Sequence, residues 1–436
     1  MNFVQQLEES LRDLAAEARK KHPGVKEASE RATLKLRQLK NSYVVAVRQA
    51  SKDPDATHPK TSLFQSSELL HPFLLAANYP NASARLLEIS FRAMRLILEA
   101  DALVPSDGLH LVRVWMIQAH VVVAYYQKQY PVKGTASSGN GIDNSQRGPT
   151  HVTVTVESDG GTMASTASAG GSGWFGWAST KALANEAETA GMAIKNAVSS
   201  STGQTGSSFQ SSKEMEKLAL DLLSCLLQLL EGLRRYPEHL STEVWTNALA
   251  LACLWLSPLP PRHTVRQAAH STVSQLVSLL YTPLAGGEDA TARQKEHISL
   301  LRDTWEDLLL MAQSPADSTS PFGGAFALCR AIGASRTPIP VPPSPNFALE
   351  IMTRLWRDHL TQPNDPIWVG VFAENNTDEN NKPNELIAKS ISCTETWLNE
   401  IAPPTCTVER SHRIVQWSAL VLQSQSQNYP ARCRDL

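Results

Sequence analysis

The feature that most constrains the fold of this chain is an ordered series of amphipathic helix patterns. They are arranged in pairs around a long Ser/Gly/Thr-rich segment. The first pattern spaces apolar residues by three and four, as in one stripe on a helix: Val4, Leu7, Leu11, Leu14 and Ala18. After a stop at Pro23-Gly24, a second stripe runs from Val25 to Val47, and the short connection predicts an antiparallel hairpin. Helix pairs stacked in series make surfaces for other proteins. We therefore expect an all-α fold, an armadillo-like helical-repeat solenoid, with a binding role.

The periodicity divides the 436 residues into four parts. Residues 1–130 and 213–285 are predicted to be the two halves of one helical domain. Residues 131–212 are dense in Gly, Ser, Thr and Ala and cannot bury enough apolar surface to offset the entropy of ordering, so we predict a disordered insert. Within it, His151–Ser158 alternates like a strand but has no obvious partner. Residues 290–436 carry further helices and a polar end without a cap, so we expect a truncated piece of a longer protein.

Composition excludes several functional classes. The formal net charge of −2 provides no global field for nucleic acid. The six cysteines form no CxxC motif and have no nearby His at zinc-ligand spacing, which indicates a reducing compartment. The N-terminal helix resembles neither a signal peptide nor a transit peptide. The most apolar stretch, Leu218–Leu233, is interrupted by polar residues and is too short to span a membrane. We expect a cytoplasmic chain with at most peripheral membrane contact.

No catalytic motif can be assembled from the sequence. The glycine pairs at Gly286-Gly287 and Gly323-Gly324 are not followed by the GK[ST] of a phosphate-binding loop, and no GxSxG occurs. His263 and His270 lie seven residues apart and lack a carboxylate or cysteine at ligand spacing, so the interpretation of each as an exposed or capped histidine is favoured. We therefore predict no catalytic residues, no metal, no cofactor and no enzymatic activity.

Two residue groups are candidate contact sites. A cluster of basic residues follows the first helix and continues onto the second: Arg19, Lys20, Lys21, Lys26, Arg31 and Lys35. It is either a face for anionic lipid or an acidic partner, with about 1 kcal/mol per charge at a membrane, or a solvated helix face diluted by Glu27 and Glu30. Trp174, Phe175 and Trp177 in the insert are either interfacial anchors, since Trp favours the headgroup zone, or non-functional residues of a disordered loop.

The segment KKHPGVKEASERATLKLRQL, Lys20 to Leu39, resembles the start of the dimerisation and cyclophilin-binding (DCB) domain. That domain opens the large Arf guanine-nucleotide exchange factors and their exchange-inactive relative, Mon-two. Leu70–Ala76 resembles the family's PF-x-x-A helix, and Thr264–Ala269 resembles the T-x-R-Q helix that closes the domain. Phe347–Leu360 resembles the opening of the region before the homology-upstream-of-Sec-seven box. The resemblance extends over most of residues 1–360, in order, with the insert as an extra segment.

The chain departs from the exchange factors in two respects. No FRLPGE-like loop supplies a catalytic glutamate, and the Asn-aromatic-Asp-Cys signature of the upstream box is absent. The resemblance, closer to Mon-two, therefore implies a non-catalytic scaffold and regulator of Golgi–endosome vesicle transport. It implies self-association and contact with an Arf-like small GTPase or a Dopey-type scaffold, peripherally on Golgi, trans-Golgi or endosomal membranes. Two alternatives stay open: the N-terminal regulatory fragment of a large Arf exchange factor, and a generic helical-repeat adaptor.

Overall fold

The protein is helical throughout the part of the chain that the structure describes. The computed structural model describes residues 2–19, 21–50, 61–79, 82–130, 212–256, 259–282, 290–313, 322–330, 340–360, 371, 385–401 and 406–428. Across these residues there are helices and no strand, so the expected all-α class is confirmed. The predicted insert, apart from its last residue, and the strand-like His151–Ser158 lie outside the described residues, so both stay predictions.

Twelve α-helices are described, five before the insert and seven after it. The first five are α1 (Asn2–Ala18), α2 (Pro23–Ala50), α3 (Ser67–Asn78), α4 (Ala84–Glu99) and α5 (Gly108–Gln129). The others are α6 (Ser212–Leu233), α7 (Thr242–Cys253), α8 (Thr264–Leu280), α9 (Ala290–Gln313), α10 (Pro345–Leu355), α11 (Glu385–Glu400) and α12 (Val408–Asn428). The described chain also contains a π-helical turn at Trp356–Leu360 and four short 3-10 turns. The 3-10 turns lie at Thr61–Phe64, Pro105–Asp107, Pro237–His239 and Ala327–Arg330.

Local chemistry explains where several helices begin. The hydroxyls of Ser83, Ser241 and Ser344 accept hydrogen bonds from backbone N–H groups three residues on, which satisfies otherwise unpaired donors. One sequence expectation was wrong in detail. Pro23 does not only stop α1 but is the first residue of α2, where its missing N–H costs nothing. The N-cap of α5 is Asp107, whose side chain makes no capping hydrogen bond.

The helices pack as six consecutive pairs: α1 with α2, α3 with α4, and so on to α11 with α12. The main contacts between pairs join α1, α4, α6, α8, α10 and α12 in one series, and α2, α3, α5 and α7 in a second. The second series resumes with α9 on α11, and the 3-10 turn Ala327–Arg330 packs on α7. Neighbouring pairs therefore account for most of the tertiary contacts, and α5 and α6 pack together although residues 131–211 separate them in the sequence.

Ion pairs connect successive pairs along both series. In the first, Arg92 of α4 lies 3.4 Å from Asp13 of α1, and Lys217 of α6 lies 2.7 Å from Glu88 of α4. In the second, Lys389 of α11 lies 3.2 Å from Glu306 of α9. Each such exposed pair contributes only about 0–1 kcal/mol. The buried apolar stripes therefore carry the stability, and the ion pairs help to specify which helices meet.

The last two pairs share an aromatic core of four tryptophans, one from each of four segments: Trp305, Trp356, Trp397 and Trp417. The rings of Trp356 and Trp417 lie 5.1 Å apart and edge to face, a favoured aromatic geometry. The indole Nε1 of Trp305 donates to Ser390 Oγ at 3.1 Å, and that of Trp417 donates to Thr394 Oγ1 at 2.7 Å. These bonds hold α11 and α12 in a fixed rotation relative to α9.

A buried carboxylate anchors the segment that follows α9. Asp307 accepts hydrogen bonds from the backbone N–H groups of Gly323 at 2.9 Å and Gly324 at 3.0 Å. A Cβ at Gly324 would overlap the backbone of Thr304, so only glycine allows this approach. Burial raises the pKa of Asp307 to about 7, although the backbone donors oppose that shift.

Candidate binding surfaces

The turn between α1 and α2 lies against the end of α3 and so joins two segments of the family pattern. The ring of His22 lies 4.6 Å from the ring of Tyr79, centroid to centroid. A Cβ at Gly24 would lie 3.8 Å from the Tyr79 hydroxyl and 4.0 Å from Leu75 Cδ2. The His-Pro-Gly turn of the first segment and the PF-x-x-A helix of the second therefore form one surface.

The predicted basic face is distributed over two environments. Arg19 and Lys21 are exposed in the α1–α2 turn, and Lys20 lies outside the described residues. The side chains on α2 have acidic partners: Lys26 lies 3.6 Å from Glu30, Arg31 lies 2.5 Å from Glu27, and Lys35 lies 3.0 Å from Glu68 of α3. Glu27 and Glu30, which dilute the positive charge of the cluster in the sequence, thus also form ion pairs with its members in the structure. The positive charge that these ion pairs compensate least is that of the exposed turn.

His71 of α3 belongs to the same face and was not predicted. Burial lowers its pKa, and the positive charge of Arg31 lowers it further. The histidine is therefore biased towards its neutral form beside the basic residues. No sequence signal distinguished it, because the approach of α3 to α2 is a tertiary contact.

A second charge cluster joins α1 to α2 and was also missed. The carboxylate of Glu8 accepts hydrogen bonds from Arg12 at 3.0 Å and from Arg37 at 3.1 Å. The Arg12 hydrogen bond, followed by that of Arg37, lowers the pKa of Glu8. The i,i+4 spacing of Glu8 and Arg12 was visible in the sequence, whereas the contribution of Arg37 depends on hairpin register.

His263 and His270, the two histidines considered as metal ligands in the sequence, have other contacts in the structure. His263 is the N-cap of α8, with its Nδ1 accepting the Val265 N–H at 3.2 Å. His270 packs its ring edge on Phe347 at 4.4 Å. Within the described residues no group of three or more His, Cys, Asp or Glu side chains could hold a metal. In the same T-x-R-Q segment Arg266 donates to the Leu259 carbonyl at 2.7 Å, an attachment of α8 to the loop before it.

The described cysteines are buried or half-buried free thiols. Burial raises the pKa of Cys225 to about 12, and the hydrogen bond between the Cys329 and Cys253 thiols, followed by burial, raises the pKa of Cys329. Thiols with raised pKa values are poor nucleophiles because the reactive thiolate is scarce. Cys225 and Cys329 therefore behave as small apolar core groups.

One helix, Pro105–Gln127, has the length and composition to cross a membrane. Half of its apolar window is buried inside the protein, with Trp115 and Val122 fully enclosed. This is the pattern of a central core helix and only weak evidence for a span. The predicted interfacial aromatics Trp174, Phe175 and Trp177 lie outside the described residues.

The comparisons with known proteins give one match. A protein-family model matches residues 1–122, and it is described as the dimerisation and cyclophilin-binding domain, Mon2/Sec7/BIG1-like. No curated protein and no solved structure matches the chain significantly. The match includes α1 to α4 and most of α5, and with them the Lys20–Leu39 and Leu70–Ala76 segments. The predicted continuation through Thr264–Ala269 and Phe347–Leu360 lies beyond it and stays a prediction.

The matched family is defined by a dimerisation and binding domain, which is distinct from a catalytic exchange domain. The hairpin of α1 and α2, its contact with α3 and the turn at His22–Gly24 are the structural form of the matched sequence. Residues 1–122 of this chain are similar to the Mon2/Sec7/BIG1-like dimerisation and cyclophilin-binding domain.

Proposed function

We propose that the chain is a non-catalytic scaffold and regulator of vesicle-mediated protein transport between the Golgi apparatus and endosomes. It acts by binding other proteins and by self-association. The observation that carries this proposal is the DCB match over residues 1–122. A domain of this family is an interaction module, and the exposed faces around α2 and α3 consist of paired charges and half-buried aromatics, which suits protein contact.

The packing of the helices supports an armadillo-like solenoid as the architecture of this scaffold. Six pairs follow each other in chain order, and each pair contacts mainly its neighbours. In helical-repeat proteins this arrangement produces long surfaces for partners. The proposed partners are a second copy of the chain, an Arf-like small GTPase and a Dopey-type scaffold.

We place the protein peripherally on Golgi, trans-Golgi or endosomal membranes. The basic face of Arg19, Lys20, Lys21, Lys26, Arg31 and Lys35 is the proposed contact for anionic lipid or an acidic partner. Arg19 and Lys21, which lie in the exposed turn before α2, extend beyond the intramolecular ion pairs of α2. The aromatics Trp174, Phe175 and Trp177 are proposed as a second, interfacial contact.

A nucleotide-exchange assay separates the scaffold from an exchange-factor fragment. Purified full chain is mixed with Arf or an Arf-like GTPase carrying a fluorescent nucleotide. A scaffold leaves release at the spontaneous rate and is retained by the GTPase, or by a Dopey-type protein, in a pull-down. Acceleration of release would favour the exchange-factor alternative, and neither acceleration nor retention would favour the generic adaptor.

Charge reversal tests the basic face. Lys26→Glu with Arg31→Glu should release the tagged protein from Golgi membranes. The melting temperature should fall little, because both side chains are exposed or half-buried and their ion pairs are worth a few tenths of a kcal/mol. Arg235→Glu with Arg262→Glu reverses two exposed charges in the turns after α6 and before α8 and serves as the control. Unchanged Golgi staining of the first variant would leave the residues as a solvated face.

A further inference from the structure

The second half of α2 combines positive charge with exposed apolar side chains. Residues 31–50 contain no aspartate or glutamate and carry five basic residues: Arg31, Lys35, Arg37, Lys40 and Arg48. On the same stretch, Leu34 and Val45 keep 60% and 51% of their accessible surface. This combination of basic and exposed apolar residues is typical of helices that lie on a membrane surface.

These side chains form rows along the helix. Leu34 and Val45 are eleven residues apart, which is close to three full turns, so they share one direction at a separation of about 16 Å. Arg37 and Arg48 repeat this spacing in a row about 60° to one side, and Arg31 lies about 60° to the other side. All three arginines are exposed. We call this surface the outward face of α2: an apolar row with guanidinium groups on both sides.

Packing on the opposite side of the helix fixes the rotation of α2. Leu36 is 1% exposed, and the ring of Tyr43 lies 5.4 Å from the ring of Phe64, centroid to centroid. The ring of Phe64 in turn lies 5.8 Å from the ring of Phe3 on α1. Because these contacts hold one side of α2 against the protein, the opposite side, with Leu34 at its centre, is held towards solvent.

The outward face continues beyond the end of the neighbouring helix. The ion pair between Glu8 and Arg37, at 3.1 Å, sets the register of the α1–α2 hairpin. Because α1 begins at Asn2, six residues before Glu8, its first residue lies near Tyr43 of α2. The last turns of α2, with Val45, therefore project past α1. The acidic residues of α1 lie alongside the first half of α2 and away from this projecting part.

The spacing of the apolar side chains favours a lipid surface over a protein partner. Protein interfaces concentrate their binding energy in a packed central cluster, whereas Leu34 and Val45 are about 16 Å apart. The polar residues Gln38 and Asn41 lie between them on the same face. A bilayer takes up each apolar side chain separately, and its anionic headgroups complement basic residues at any position along a row. The charge and the spacing therefore suit the same occupant.

We propose that the outward face of α2 is a contact surface for an anionic lipid bilayer. Leu34 and Val45 enter the headgroup region, and Arg31, Arg37 and Arg48 bind lipid phosphates. The inference rests on the peripheral membrane placement proposed above and extends its contact surface past Lys35, where the basic face ends. Two apolar side chains and a few charges make a reversible contact, which depends on the negative charge of the membrane and weakens with added salt.

Co-sedimentation of the full chain with vesicles tests the surface. The chain should bind vesicles that contain phosphatidylserine in addition to phosphatidylcholine, and it should bind pure phosphatidylcholine vesicles far less. Val45→Glu should weaken binding at least about tenfold, because the apolar contact is lost and a carboxylate faces anionic lipid. Val415→Glu is the matched control: it makes the same substitution on α12 at a valine that is 54% exposed, and it should leave binding unchanged.

Neutralisation of the arginine row tests the charges separately. Each basic residue near an anionic surface strengthens binding about fivefold, so Arg37→Gln with Arg48→Gln should weaken it about 25-fold. The fold should be retained, because Glu8 keeps its hydrogen bond from Arg12 at 3.0 Å. Arg235→Gln with Arg262→Gln removes two exposed charges outside α2 and should change vesicle binding little.

A fluorescent label measures insertion directly. In a background with Cys406→Ser and Cys433→Ser, which removes the half-buried thiol before α12 and the one near the C-terminus, Val45→Cys and Val415→Cys are labelled separately with a polarity-sensitive dye. On addition of phosphatidylserine-containing vesicles, the emission of the dye at position 45 should shift to shorter wavelength. The emission at position 415 should not change.

Three results would overturn the proposal. The first is equal binding to neutral and anionic vesicles, and the second is equal vesicle binding by Val45→Glu and Val415→Glu. The third is an emission shift at position 45 that needs no vesicles and grows with protein concentration, since a second copy of the chain would then cover the face. Retention by the GTPase or the Dopey-type protein is measured without vesicles, so failure of the proposed function is distinguishable from failure of this inference.

Discussion

The two leucines Leu34 and Leu36 of α2 provide a matched test of the fold. They are the same residue type, two positions apart on one helix, and differ by about 200° in direction. Leu36 is 1% exposed and belongs to the core between α1 and α3, whereas Leu34 is 60% exposed. Replacing each by alanine therefore deletes the same atoms from opposite environments.

The expected magnitudes follow from burial. Leu36→Ala removes three carbon atoms from the core, for a transfer loss of about 2.4 kcal/mol at ~0.8 kcal/mol per methylene. The unfilled cavity adds to this, which gives a range of about 2–5 kcal/mol. Leu34→Ala should change the free energy of unfolding by less than about 0.5 kcal/mol. The helix propensities of Leu and Ala differ little and do not alter this order.

Urea denaturation followed by circular dichroism, at two protein concentrations, measures both variants. A stack of pairs can unfold in parts, so Leu36→Ala should lower the midpoint of the transition that includes α2. If Leu34 contributes to a dimer, its effect will depend on concentration, and that of Leu36 will not. Equal destabilisation by both substitutions at both concentrations would refute the orientation of α2.

Three further perturbations follow from individual contacts. Burial lowers the pKa of His120 to about 4, below the unfolded value near 6.5, so its contribution to stability is present above pH 6.5 and is lost as pH falls. The loss is at most about 2 kcal/mol at pH 5, and a His120→Gln variant should show a flatter pH profile of unfolding free energy. The contribution of Asp307 to stability changes with pH in the opposite direction. Because its pKa in the folded protein is about 7, this contribution falls as pH rises from about 4 to 7. Asp307→Asn should abolish that slope and cost about 1–3 kcal/mol, because an amide N–H₂ then faces a backbone donor. Glu296→Gln at an exposed site on the same helix is the control, and a retained slope in Asp307→Asn would mean that another group titrates. Replacing residues 131–211 by a short Gly/Ser linker should shift the melting temperature by no more than a few degrees, since α5 and α6 already pack as a hairpin, and a larger loss would show that the insert packs on the stack.

Much of the helical content could be read from local pattern. The apolar stripe from Val4 to Ala18 predicted the bounds of α1 to within two residues, because a 3.6-residue period survives any tertiary arrangement. The first residues of the helices were harder to predict from the sequence than the helices themselves. The imidazole of His263 as an N-cap of α8 has no composition signal of the kind that serine provides at α7.

The candidate site could be predicted only in part. The sequence identified the basic residues of the first two helices and the family pattern that the DCB match confirmed over residues 1–122. It also noted the acidic residues between them. The pairing of Lys35 with Glu68, thirty-three residues away, depends on how α3 crosses α2. The contact of Arg37 with Glu8 likewise depends on the register of a hairpin.

Sequence alone determined that this protein is helical, that its helices come in pairs, and which stripe of each helix is apolar, because these depend on spacing along the chain. It could not determine which pairs touch, since ridges of one helix fit several grooves of another with similar energy. Only the tertiary structure decided that Trp305, Trp397 and Trp417 meet in one core. It alone also showed that the apolar side chains of Val408, Val415 and Leu422 on α12 are exposed. Periodicity indicates that a helix face is apolar, but whether another segment covers that face depends on residues far away in the chain.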